Sequence, residues 1–138
     1  MEDPLFWSHE TTLPSQRTSA RGARIFVREH LLTHQQPALI NDMRVVASEL
    51  AAMLIAHDGH GSFNVSLRGG GGEVLLLMQD GVPGSVEDVL GTGKPEWGDP
   101  GLRLTEQLSE RWGLAMTPAG AVVWASFASA DAPSETAP

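Results

Sequence analysis

Glu49, Met53 and His57 fall at i, i+4 and i+8 of the run Glu49-Leu50-Ala51-Ala52-Met53-Leu54-Ile55-Ala56-His57. That spacing puts them on one stripe of a helix. Read alone, Glu49 is a solvated or capped carboxylate, and Met53 is a core residue of the kind that fills irregular gaps. A second carboxylate, Asp80, ends the apolar run Val74-Leu75-Leu76-Leu77-Met78 and precedes Gly81-Val82-Pro83-Gly84. A carboxylate in that position needs a partner or water. Asp-Gly is also an ordinary turn signal. A third segment, Trp97-Gly98-Asp99-Pro100-Gly101-Leu102, stands before a helical run. Asp99 as N-cap with Pro100 in the first turn explains both residues. His30 and His34 sit at i, i+4, and His57, Asp58 and His60 cluster at a turn. Neither set carries a third metal ligand at standard spacing, so no metal site is expected.

The elements that must position these residues follow from periodicity. Leu5 to Leu13 reads as a first strand, and Ser15 as a cap for a helix over Gln16 to His34. Pro37 opens a second helix to about Ala56, with Leu39, Met43, Val46, Leu50, Met53, Leu54 and His57 as its buried stripe. Phe63, Val65 and Leu67 alternate with Asn64, Ser66 and Arg68, which predicts a strand with one wet face. Gly69 to Gly72 reads as the turn into the central strand Val74–Met78, making a hairpin. Residues 81–100 lack periodicity, and a stretch of that length is expected to be a functional lid or disordered. Leu104, Leu108 and Trp112 are in register for a helix from about Leu102 to Trp112. A hairpin through Pro118-Ala119-Gly120 closes the domain. Residues 1–128 are read as one domain and 129–138 as a disordered tail. The order predicts an α+β two-layer sandwich, with a mostly antiparallel mixed sheet and three helices on one face.

In order and spacing, these three segments resemble the nucleotide-binding boxes of the anti-sigma-factor serine/threonine kinases. These are a bacterial branch of the GHKL (histidine-kinase-like) ATPases. The resemblance runs from about Leu5 to Phe127 and implies the histidine-kinase-like ATPase fold. It implies that Glu49 is the general base toward a substrate hydroxyl. It implies that Asp80 reads the adenine amino group, with Gly81 and Gly84 letting the base approach. Gly98, Gly101 and Leu102 would belong to the phosphate-binding turn. The family places a magnesium-binding Asn where this chain has Met53. Mg²⁺ takes oxygen ligands in tight octahedral geometry, and a thioether is not one that hard cations choose. Where the family carries Gly-Arg-Gly-Leu, this chain has Asp99-Pro100-Gly101-Leu102. Pro100 brings no charge and no N–H, and Asp99 would repel a triphosphate. Ala121 and Val122 replace a Lys and a Thr of the closing motif.

Bulk properties narrow the classes. The 138 residues carry 17 Asp and Glu against 9 Lys and Arg, a formal net charge of -8. That balance argues against a nucleic-acid binder. No apolar run approaches the roughly 20 residues of a membrane span. There is no Cys, and the acidic start lacks the order of a secretory signal, so a cytoplasmic location is expected. The reading is an anti-sigma-factor-like regulator that controls transcription by binding a protein, either a sigma factor or an anti-anti-sigma-type protein. ATP is the ligand implied, resting on Asp80, with little dependence on Mg²⁺. Kinase activity is weakened or lost, and the resemblance implies a homodimer. The alternatives are an active ATP-dependent serine/threonine kinase of the same type and an interaction domain that binds no nucleotide.

Overall fold

The computed structural model describes residues 6–57, 61–80, 102–117 and 120–129. In chain order its elements are β1 (Trp7–Pro14), α1 (Ser19–Thr33), a short 3₁₀ turn (Pro37–Leu39) and α2 (Ile40–His57). Then follow β2 (Ser62–Gly70), β3 (Glu73–Asp80), α3 (Arg103–Leu108), β4 (Arg111–Thr117) and β5 (Gly120–Ala128). The expected lid (81–100), Gly101 and the tail beyond Ser129 lie outside the described residues.

The strands form one sheet in the order β1-β2-β3-β5-β4. Every pairing among the described residues is antiparallel, so the mixed component expected from the sequence is not found. Register decides the faces, because side chains alternate along a strand. His9 pairs with Leu67, Leu67 with Leu76, and Leu76 with Ala125. Leu67, Leu76 and Ala125 of that row, with Phe63, Val65, Val74, Met78, Val123 and Phe127, pack into the main core. Phe26, Val27 and Leu31 of α1, Met43, Val46, Leu50 and Leu54 of α2, and Leu102 and Leu108 around α3 join the same core. The three helices therefore share one face of the sheet, giving the α+β sandwich.

Four local expectations change. Leu104 and Leu108 stay with α3, but Trp112 belongs to β4, opposite Ala125 of β5. A ladder of cross-strand hydrogen bonds outcompetes the helical spacing of three residues. The Gly run divides: Gly69 and Gly70 finish β2, and only Gly71 and Gly72 turn. The wet face of β2 is absent, since Asn64 and Ser66 are both 3% exposed. β2 is an interior strand, and the same face carries a second apolar cluster of Leu77, Val122 and Trp124. Finally, Ser15 does not cap α1. Thr18 holds the N-cap position without a side-chain bond, and the buried Ser15 hydroxyl has no hydrogen-bond partner among the described residues.

Candidate functional site

The second helix forms because Pro37 starts a turn and an apolar stripe then recurs at helical spacing. Met43, Val46, Ala47, Leu50, Ala51 and Leu54 are buried. Glu49 and Met53 sit at the edge of that stripe, each half-buried. Met53 packs against the main core, in keeping with a gap-filling thioether.

Glu49 has a defined structural task. Its Oε1 accepts hydrogen bonds from the Thr105 backbone N–H at 2.6 Å and from the Thr105 hydroxyl at 2.7 Å. Its Oε2 lies 3.4 Å from the Leu104 N–H. The opening N–H groups of a helix have no partner within the helix. The residue at the α3 N-cap position is Leu102, which has no side-chain acceptor. Glu49 reaches across from α2 and supplies the acceptor that a Ser or Asp cap would give. Asp99, the cap expected from sequence, lies outside the described residues, four positions before the start of α3. Thr105 is fully buried, and its carbonyl accepts the Ser109 hydroxyl at 2.6 Å, which closes the short helix. No spacing in the sequence singles out Thr105, because its partner is 56 residues away.

Asp80 ends β3 opposite Phe63, on the helix-bearing face, and is 1% exposed. Gly120 at the start of β5 lies beside it. A Cβ there would come within 3.2 Å of the Asp80 carboxylate, and Gly120 has a positive φ of 130°. The glycine lets the two strands close around the acid. Leu102 is 3% exposed and contributes its side chain to the core. Gly81, Gly84, Gly98 and Gly101 lie outside the described residues.

The structure thus joins the Glu49 segment to the segment after Gly101 through the Thr105 hydrogen bonds. It sets Asp80 against the closing hairpin. At the far end of β3 from Asp80, an open depression of about 580 Å³ is lined by Phe6, Trp7, Arg68, Glu73 and Leu75, among others. Among the described residues no three His, Cys, Asp or Glu side chains are grouped to hold a metal. No helix among the described residues is long and apolar enough to cross a membrane. No protein-family model matches the chain, and neither does any curated protein.

Proposed function

We propose that this chain is a degenerate relative of the anti-sigma-factor kinases, a histidine-kinase-like ATPase frame that now acts by binding a protein. The partner would be a sigma factor or an anti-anti-sigma-type protein, in the cytoplasm. Phosphotransfer is lost and nucleotide binding is weak.

The engagement of Glu49 by Thr105 carries this reading. A general base must offer a lone pair to the proton it takes. The Oε1 atom of Glu49 already accepts an N–H and an O–H, which fills the sites of that oxygen. Oε2 keeps lone pairs beyond its long 3.4 Å contact with the Leu104 N–H, but turning the carboxylate toward a substrate would pull Oε1 off the Thr105 groups. Met53 adds support, since a half-buried thioether packed on the core supplies no oxygen for Mg²⁺. Phosphoryl transfer draws most of its catalysis from metal and positioning. Of the nucleotide machinery that the resemblance implies, Asp80 would be the residue left to read a base.

Calorimetric titration with ATP, with and without Mg²⁺, tests the proposal. No binding, or weak binding indifferent to Mg²⁺, is expected. Micromolar, Mg²⁺-dependent binding would sink it and favour the active kinase.

A further inference from the structure

Three of the five histidines of the chain meet where β1 crosses the C-terminal half of α1. His9 comes from the strand, and His30 and His34 from successive turns of the helix. The Nε2 atoms of His9 and His34 are 2.8 Å apart. The His9 ring stacks on His30 with centroids 3.9 Å apart and planes 15° from parallel. Trp7 stacks on His34, also at 3.9 Å and within 3° of parallel. Phe26 meets His30 edge-on at 4.6 Å. Trp7 in turn lies across Gly69 of β2, where a Cβ would come within 2.2 Å of the indole.

Protonation decides whether this arrangement holds. A neutral imidazole has one N–H and one lone pair, and an imidazolium has two N–H groups. The 2.8 Å contact therefore needs one Nε2 as donor and the other as acceptor. The pair can hold one positive charge and keep its bond. A second proton turns both nitrogens into donors facing each other, with the His30 ring against His9.

The strand is paired with β2 along its whole length, from Trp7 opposite Gly69 to Pro14 opposite Ser62, so this contact and that ladder share the task of holding it. Among the described residues β1 is at the edge of the sheet, with β2 as its only strand neighbour. None of its residues is fully buried; Trp7, His9, Thr11 and Leu13 are half-buried and the alternate ones exposed. Elements with few buried contacts open at low free energy.

We propose that His9, His30 and His34 form a proton-operated latch that fastens the edge strand β1 to α1 near neutral pH and releases it in mild acid.

The surroundings offer little to oppose release. On α1, Glu29 is exposed and acts on His30 in favour of its charged form. On β1, Glu10 alternates to the opposite, exposed face. β2 presents Leu67 across from His9, and Arg68 belongs to the other face. The turn Pro37–Leu39 has no titratable side chain, and Asp42 and Arg44 early in α2 are exposed. Burial and the charge of His9 keep His30 below its ordinary pKa despite Glu29. Burial, His9 and His30 do the same for His34. A base whose folded pKa is depressed contributes stability that is complete above the unfolded value and lost as pH falls below it. For these histidines the loss begins near 6.5.

Amide hydrogen exchange on the whole chain, corrected for intrinsic rates, tests the latch together with ring-nitrogen NMR. Between pH 7.5 and 5.5, β1 protection should fall about tenfold or more while that of β3 and α2 holds. His34→Gln keeps a hydrogen-bonding side chain that cannot take the proton, so the fall in its β1 protection should shrink to the part that His30 carries. An unchanged fall in that variant, or flat protection in the unaltered chain, overturns the latch. If His34→Gln fails to fold, the ring nitrogens of the unaltered protein still decide. Coupled titration of the three rings supports the latch, and three independent, ordinary titrations overturn it.

Discussion

The Glu49 carboxylate on α2 binds Thr105 on α3 twice, through its backbone N–H at 2.6 Å and its hydroxyl at 2.7 Å. Hydrogen bonds to a charged acceptor are worth more than neutral ones, and the buried Thr105 groups would be left without this acceptor if it were removed. Glu49→Ala should therefore destabilise the protein by about 1.5–3 kcal/mol. Glu49→Gln, which keeps an acceptor oxygen without the charge, should cost roughly half as much. Urea unfolding of both variants and of Thr105→Val measures this, with a coupling of about 0.5–3 kcal/mol expected in the double-mutant cycle. Glu49→Ala stability equal to that of the unaltered chain would show a carboxylate free for other work.

Gly113 of β4 faces Trp124 of β5 directly across the ladder. The indole lies over the glycine so closely that a Cβ would come within 2.6 Å of Trp124 Nε1. Trp124 is only 4% exposed, and the Arg111 guanidinium stands 5.9 Å from its ring centre. The ring has little room to retreat. Gly113→Ala should cost about 1–3 kcal/mol by overpacking. Pairing it with Trp124→Leu should recover part of that cost, since the smaller side chain leaves space. Thermal unfolding of the two single variants and the double variant checks the non-additivity.

Much of this architecture can be read from residue order. The stripes on α1 and α2 and the apolar positions along β2 are local, and those three elements form within a few residues of where periodicity predicts. Trp112 shows the limit. It fits the helical spacing of Leu104 and Leu108, and it equally fits a strand with Leu114, so only pairing with β5 settles the choice. The buried Asn64 and Ser66 show a second limit, because alternation identifies the two faces but not what covers them. At the site, the segment pattern brings Glu49 and the start of α3 into view. It does not reveal that a carboxylate caps a helix 56 residues later. His30 and His34 announce themselves by spacing, whereas His9 joins them through the placement of an edge strand.

The β2–β3 hairpin turns on Gly71 and Gly72, both with positive φ, 63° and 82°. Gly70 pairs with Glu73, leaving those two residues as the loop. Two-residue hairpin loops with positive φ at both positions favour Asn-Gly. At Gly71 an added Cβ would meet only the Phe6 ring edge at 4.0 Å. Gly71→Asn should therefore fold with unchanged or slightly greater stability, by up to about 0.4–1 kcal/mol, because it narrows the unfolded ensemble. Gly71→Val should lose about 1–3 kcal/mol, since a β-branched residue is strained at that backbone angle. Chemical unfolding midpoints rank the two; the reverse order would mean that the loop takes another conformation in solution.

Glu73, at the start of β3, bonds to Arg111 of β4 at 2.5 Å and also accepts the Ser126 hydroxyl of β5. Burial pushes its carboxyl up, but the Ser126 and Arg111 hydrogen bonds and the Arg111 charge outweigh this and hold its pKa below the ordinary 4.5. A depressed folded pKa means that folding favours the ionised form. Its contribution is complete above the unfolded value and disappears as pH falls through the lower folded one. The Arg111 and Glu73 side chains are 64% and 40% exposed, so water and salt screen the pair. Glu73→Gln should cost no more than about 1 kcal/mol at pH 7. The difference from the unaltered chain should shrink once the pH drops well below 4.5, and raising the salt at pH 7 should shrink it too. Urea titrations at both pH values and two salt concentrations measure all three effects. A cost that persists in acid would assign the stabilisation to packing at Ser126 rather than to charge.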